Sequence, residues 1–338
     1  MPRDLSLDLE ALFAPVAGYT TLGLAVSGGP DSLALMLLAA EWAKPRGTRL
    51  VVYSVDHRLR PEAAGEAAMV MREAGVLGLE ARVLSWEGDK PATGLQAAAR
   101  GARYRMIAAA MVEDDVAILL TAHHMGDQAE TVLMRMAHGS GIDGLRGMDA
   151  LSFVEGCEIY RPLLGVHPAV LEEVVSRAGL TPARDPSNLD ADYERVRWRQ
   201  TLPALEALGL TVERLATLAQ RMGAASDHVA ESAEANFPTL VSWDDDGAAA
   251  LPHGRLAILN PLVAGAIVSQ VLTLVSGNRR PIPLGALESL VTRLAFQVPL
   301  KPETLHGCLI ASDGDMLRIR PEPPRGGARK LREKAISH

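Results

Sequence analysis

Cysteines, aromatic residues and long apolar runs are all scarce in this chain, and each scarcity excludes something. Its 338 residues include two cysteines, Cys157 and Cys308, too few and too far apart for a disulfide framework, a zinc ribbon or a CxxC redox pair. Aromatic residues make up 4% of the chain, which leaves little material for base-stacking platforms. The most apolar stretch, Pro261 to Val275, is broken by Ser269, Gln270 and Thr273 and falls short of the roughly 20 apolar residues that a bilayer span takes. The opening MPRDLSLDLEALF places acids where an export signal needs a basic region and an unbroken apolar one, so the expected compartment is the cytoplasm, with no membrane. Basic charge is also in deficit, with 34 Lys and Arg against 41 Asp and Glu for a net −7, which argues against broad nucleic-acid binding. The exception is Arg318 to Lys334, where seven basic residues face two acids, a solvated tail or a local RNA contact.

What is present reads as a soluble protein of two domains, since roughly 100–200 residues make one. Residues 1–208 alternate short apolar runs with helical periodicity. Leu22 to Val26, Leu50 to Val55, Glu80 to Trp86 and Val116 to Leu120 read as strands. Helices are expected between them at Leu33–Trp42, Glu62–Ala74 and Gly94–Val112, and after them from Gly126 to Ala137. The first two strands lack the polar alternation of a one-sided sheet, so the expected fold is α/β, a doubly wound parallel sheet. Residues 209–338 read as mostly helical. A connector helix is expected from Thr211 to about Asn236, a turn at Trp243–Gly247, helices at Pro261–Val275 and Leu284–Phe296, and strand-like ends at Cys308–Ala311 and Met316–Arg320.

In a doubly wound sheet the ligand sits beyond the carboxyl ends of the strands, and here those ends are polar. The first strand runs into Ser27-Gly28-Gly29-Pro30-Asp31-Ser32, the second into Asp56-His57, and the fourth into Thr121-Ala-His123-His124-Met-Gly-Asp127-Gln128-Ala-Glu130. Gly28 and Gly29 let backbone approach phosphate oxygens, and a helix start offers unpaired N–H donors and a favourable dipole. Asp31 is out of place beside phosphate unless a Mg²⁺ lies between them. An ordinary capped turn is the alternative. No Gly-Lys-Ser/Thr follows, which excludes a Walker A loop, and Gly139 to Gly144 spells GxGxxG after a helix where a dinucleotide fingerprint needs a strand. Arg100 and Arg103 share a helix face, as an anion clamp or as a solvated pair. His123 and His124 lack the spaced partners of a zinc site.

Taken in order, several motifs carry a resemblance. They are SGGPDS at Ser27, VDHRLR at Val55, Ala99-Arg100-Gly-Ala-Arg103-Tyr104, the His123-His124 segment, Gly139 to Met148, Arg161-Pro-Leu-Leu164 and Asp185-Pro-Ser-Asn188. The first resembles the PP-loop of the N-type ATP pyrophosphatases, and the set over about residues 20 to 205 resembles the tRNA(Ile)-lysidine synthase family. Thr304 to Cys308 resembles a C-terminal motif of some members. Two positions depart from the family pattern: Gly126-Asp127 stands where two acids are common, and His138 where an Arg is common.

The resemblance implies an adenine nucleotide alpha-hydrolase-like fold and an enzyme using ATP and Mg²⁺. Its implied substrates are free L-lysine and tRNA(Ile) with a CAU anticodon, and its product is lysidine at the wobble cytidine, with AMP and pyrophosphate released. The change would shift codon reading from AUG to AUA and identity from Met to Ile. Asp31 and Asp127 would hold the metal, Arg100 and Arg103 would join them in catalysis, and Ser27, Gly28, Gly29, Pro30, Ser32, Asp56, His123 and His124 would complete the nucleotide site. On the residues themselves, Asp185, Glu130 and Asp56 are open candidates for meeting the lysine amine, with Asp185 to Asn188 equally a turn, and Arg195, Arg197 and Arg199 either meet tRNA or pair with Asp190, Asp192 and Glu194 on a solvated surface. Three rivals remain: a PP-loop tRNA thiolase, a nucleotide sensor without chemistry, and a structural RNA-binding module.

Overall fold

A computed structural model describes residues 7–59, 63–88, 90–91, 93–183, 190–296, 300–313 and 315–323. Arg60, the Asp185 to Asn188 motif and the basic tail from 324 onward lie outside them. The chain divides into two compact units, one of Met1–Gly139 with Gly144–Arg221, the other of Ser140–Asp143 with Met222–His338.

In chain order, the elements as far as the division are α1 (Leu9–Phe13), β1 (Thr21–Ala25), α2 (Pro30–Ala43), β2 (Arg49–Asp56), α3 (Ala63–Val76), β3 (Glu80–Ser85), α4 (Leu95–Glu113), β4 (Ile118–Leu120), α5 (Met125–Ala137), α6 (Ile142–Leu145), β5 (Leu151–Val154), β6 (Cys157–Tyr160), α7 (Pro168–Arg177), α8 (Glu194–Ala207) and α9 (Val212–Leu240). The sheet order is β3-β2-β1-β4-β6-β5, parallel throughout except for β5, which pairs antiparallel with β6. Adjacent residues of β2 feed opposite faces. Leu50 and Val52 join one core with Leu22, Leu24 and Trp42, while Val51 and Tyr53 join another with Tyr104 and Ile107. Burial on both faces is why the strand sequences show no polar alternation.

The chain runs outward through β1, β2 and β3 and then returns to the other side of β1 for β4. Where the order reverses, the loops after β1 and β4 diverge and leave a crevice between them. The predicted strands and helices of this unit all form, with ends shifted by a few residues. Unforeseen are the short helices α1 and α6, the β5–β6 hairpin, whose β5 forms the sheet edge, and α8.

The expected division at 208/209 precedes α9, whereas the compact units divide within that helix, at Arg221 and Met222. The reason is packing: Val212, Leu215 and Ala219 of α9 share a core with Ala129 and Val132 of α5 and Leu202 of α8.

Beyond α9 come β7 (Ser242–Trp243), β8 (Ala249–Pro252), α10 (His253–Ala257), α11 (Pro261–Ser276), α12 (Leu284–Ala295), β9 (Glu303–Leu305), β10 (Cys308–Asp313) and β11 (Met316–Pro321). The helices expected here are present, accompanied by a five-stranded antiparallel sheet ordered β7-β8-β11-β10-β9. The apolar stretch at 261–275 is a core helix, in which Ile267, Val271 and Leu272 pack with Leu290, Ile310 and Leu317. Asp244 closes the expected turn by accepting from the N–H groups of Asp246 and Ala248 at 3.1 and 2.8 Å. The Thr304 to Cys308 motif is the turn between β9 and β10, where His306 (φ 56°) and Gly307 (φ 78°) are left-handed. No described helix is long and apolar enough to cross a membrane.

Candidate active site

The loop after β1 is built to present backbone. Gly28 has φ 90°, a conformation that side-chain-bearing residues avoid, and a Cβ there would meet the Met69 Cε at 3.0 Å. Its carbonyl accepts from the Ala183 N–H at 2.9 Å. Ser32 closes the loop on itself: its hydroxyl donates to the Gly29 carbonyl at 2.9 Å and accepts from the Ser27 N–H at 3.2 Å. Pro30 starts α2, with Gly29 at the N-cap and Asp31 in the first turn. The cap has no side-chain hydrogen bond, so the first N–H groups are available to an anion.

Across the crevice, His124 caps α5. Its Nδ1 accepts from the Gly126 and Asp127 N–H groups at 3.0 and 3.3 Å, and its own N–H donates to the Asp127 carboxylate at 3.0 Å. The neutral ring therefore carries its proton on Nε2, which lies 3.6 Å from the Asp31 carboxylate and 3.5 Å from that of Asp127. Burial opposes a charge on this ring, but the bond to Asp31 and the charges of Asp127, Asp31 and Glu130 outweigh it and raise its pKa. Burial likewise opposes ionisation of Asp127, yet His124, Arg195, His123 and the His124 amide hold its carboxyl below the ordinary value.

A cavity of about 210 Å³ lies between these loops, and Ser27, Gly29, Asp31, Ser32, Arg100, Arg103, His123 and Asp127 all line it. Gly28, Pro30, Asp56 and His124 sit outside its wall. Gly28 and Pro30 shape the loop, His124 caps α5 through its Nδ1, and the Asp56 carboxylate accepts from the Arg58 N–H at 2.8 Å. A second cavity, of about 560 Å³, shares Ser27, Val55, Arg100 and Arg103 with the first and extends along His57, Glu66 and Tyr193. Arg103 forms no ion pair among the described residues. Burial, the strongest influence on it, lowers its pKa.

Glu130, one candidate for the lysine amine, is otherwise engaged. It is 1% exposed, and Arg195 Nε and Arg199 Nε of α8 each donate to its carboxylate at 2.6 Å. Arg195 Nη2 also reaches the Asp127 carboxylate at 3.0 Å. Two of the three arginines read as tRNA contacts therefore lock α8 onto α5, and Arg197 donates to the Ala191 and Asp192 carbonyls. Sequence reasoning missed this tetrad because its partners lie 65 or more residues apart.

Gln128 and Arg135 of α5 fasten the segment that follows. Gln128 Nε2 donates to the Met148 carbonyl at 3.0 Å, its Oε1 accepts from the Met148 N–H at 2.7 Å, and Arg135 donates to the Gly144 and Gly147 carbonyls. Gly147 has φ 73°, and a Cβ there would lie 2.5 Å from the Gln128 oxygen. Gly147→Ala combines backbone strain with displacement of a buried amide. It is expected to cost about 2–4 kcal/mol, read from the urea unfolding midpoint.

His57 and His123 are both held near a pKa of about 4, first by burial and also by neighbouring arginine charge. Each ring stays neutral in the fold and protonates in the unfolded chain near 6.5. The stability this gives is complete above about pH 6.5 and is lost as pH falls towards 4, on the order of 2–3 kcal/mol per ring. Urea midpoints from about pH 7 down to 4.5 should fall, and less steeply in His123→Gln.

The donor set fits a hard cation. Asp31 and Asp127 flank one crevice, and carboxylate and phosphate oxygens are what Mg²⁺ takes. Among the described residues no cluster of three or more His, Cys, Asp or Glu forms a self-sufficient metal site. Phosphate and water oxygens would have to complete the shell.

The family described as ATP_bind_3, PP-loop domain, matches residues 3–205. A tRNA(Ile)-lysidine synthase of Rhodopseudomonas palustris is 42% identical over 336 residues, covering 95% of this chain and 96% of that protein. Another, from Bradyrhizobium sp., is 41% identical, covering 94% of each. Among solved structures, the U34-tRNA thiolase NcsA from Methanococcus maripaludis, with its [4Fe-4S] cluster, superposes at a TM-score of 0.54 and 15% identity. It covers 63% of this chain and 76% of its own, a likeness of fold alone. A loop of unpaired donors at the switch point, two facing carboxylates and full-length relatives agree, and the chain belongs to the PP-loop family and, within it, to the tRNA(Ile)-lysidine synthases.

Proposed function

We propose that the protein joins the side-chain amine of free lysine to C2 of the wobble cytidine in the CAU anticodon of tRNA(Ile), in the cytoplasm. The observation that carries this reading is the likeness over nearly the whole chain to proteins of that name. In the first step the cytidine O2 attacks the α-phosphate of ATP and pyrophosphate leaves. In the second the lysine amine attacks C2, and the former cytidine oxygen departs with AMP.

The unpaired N–H groups at the start of α2, with Ser27 and Ser32, would hold the pyrophosphate. Arg100 and Arg103, on the opposite wall, would meet the charge that grows on the phosphates during attack. Asp31 and Asp127 would hold Mg²⁺, which supplies neutralisation of phosphate charge there. His123 would stand as a neutral polar contact for the nucleotide, its Nδ1 engaged by the Thr121 hydroxyl at 2.9 Å. An anticodon loop offers bases outside a duplex, which lets the cytidine enter such a crevice. The 209–338 region, with its basic tail, is assigned to gripping the tRNA.

The thiolase alternative fits worse. Cys157 and Cys308 are both fully buried, with burial pushing their thiols up to about 11, and neither lines the cavity. Such thiols are inert.

The test is to incubate purified protein with ATP, lysine and a tRNA(Ile) transcript, with a tRNA(Met) transcript as control, and measure AMP release and the mass of the anticodon base. A gain of lysine minus water on the tRNA(Ile) cytidine alone supports the reading. AMP release without that adduct points to another nucleophile, and intact bound ATP to a sensor.

A further inference from the structure

Arg103 has one polar partner among the described residues, and it is not an acid. Its Nε and Nη2 approach His57 Nε2 at 3.4 and 3.3 Å. The His57 ring stands edge-on to Trp86, with centroids 5.9 Å apart and planes at 87°, and Lys90 Nζ lies 3.8 Å from the Trp86 ring centre. The two arginine contacts fall on one side of the imidazole, while Nδ1 is buried without a partner among the described residues. An arrangement that leaves a buried ring nitrogen unsatisfied is not the one stability alone would favour.

A carboxylate in the place of His57 would orient the guanidinium equally well, but it would also cancel its charge. A neutral imidazole orients without cancelling. We infer that His57 is a positioning residue that aims Arg103 into the wall shared by the two cavities while leaving its full positive charge for phosphate. The inference rests on the reading of Arg103 as a phosphate-facing group. Burial, then the Arg103 charge, keeps the His57 ring neutral at physiological pH, with its pKa pushed down to about 4. The acid whose charge acts on the ring, Asp56, has its carboxylate on the Arg58 N–H.

The experiment compares His57→Gln, His57→Glu and His57→Ala, alone and combined with Arg103→Ala, in ATP affinity by equilibrium dialysis and in kcat and KM for lysidine formation. Gln keeps a neutral acceptor and should restore most of what Ala loses. Ala should weaken ATP binding about tenfold, and Glu, nearly isosteric with Gln, by at least as much. In the Arg103→Ala background, removing His57 should cost less than about twofold more, because its partner is already gone. The inference is overturned if Glu matches Gln, or if the loss from His57→Ala persists in full without Arg103. The Gln and Glu pair decides even if the Ala variant fails to fold. Should the wild-type protein bind ATP but form no lysidine, the proposed reaction fails by itself, and the coupling in ATP affinity still judges His57.

Discussion

Replacing Asp31 with asparagine is expected to cut AMP release by on the order of a hundredfold or more while leaving tRNA binding unchanged. Asp31 sits in the first turn of α2, at the end of the loop that lines the cavity, and its side chain is 37% exposed. A carboxylate there repels a bound triphosphate unless a cation intervenes, so a bare electrostatic reading would make the residue a handicap. Asparagine keeps the shape and removes the charge. With Mg²⁺ the variant should bind ATP less tightly than the wild type, and with the metal chelated it should bind as well or better, because the repulsion is gone. Undiminished AMP release, or the same affinity ratio with and without Mg²⁺, would sink the metal assignment.

Much of this site is legible in the order of the amino acids, because its parts are local. SGGPDS specifies a strand-to-helix turn by its own residue types, and the apolar runs at Leu22 and Leu50 show burial on both sheet faces through their lack of alternation. Parallel strands then require crossovers, and the switch point follows from topology. Less legible is what each polar residue does once it is there. His124 reads in sequence only as part of a polar loop after a strand, whereas in the fold its Nδ1 caps α5 and its Nε2 faces the Asp31 and Asp127 carboxylates. His57 belongs to a motif, yet only the fold brings Arg103 of α4, 46 residues away, against it.

The antiparallel sheet of the second unit is partly hidden for a different reason. β7, β8 and β9 are two to four residues long, too short for any periodicity to register, whereas β10 and β11 are readable at six each. The unit boundary is displaced because a helix signal carries no mark of where its packing partners change. α9 continues unbroken from Val212 to Leu240, while its first part packs with α5 and α8 and Ala233 joins the core of the second unit.

Glu130→Ala is expected to be the most destabilising single substitution near the site, at about 3–5 kcal/mol, read from urea unfolding. The acid is all but sealed from solvent, and two arginines from one face of α8 converge on it, a turn apart in sequence. Removing it leaves two partly buried guanidinium groups competing for the single Asp127 carboxylate, which already takes 3.0 Å and 3.7 Å approaches from them. Asp127 would then be drawn further into the ion pairs and away from the cavity it lines. The loss should therefore extend beyond stability: under conditions where the variant is still folded, AMP release should fall and need more Mg²⁺ to reach half its maximum. Glu130→Gln separates volume from charge, since it keeps the size and one acceptor while removing the negative charge that the two arginines share. If Glu130 instead met the lysine amine directly, the glutamine variant would raise the KM for lysine, leave the Mg²⁺ requirement unmoved and barely shift the unfolding midpoint. The ion-pair arrangement predicts the reverse on all three.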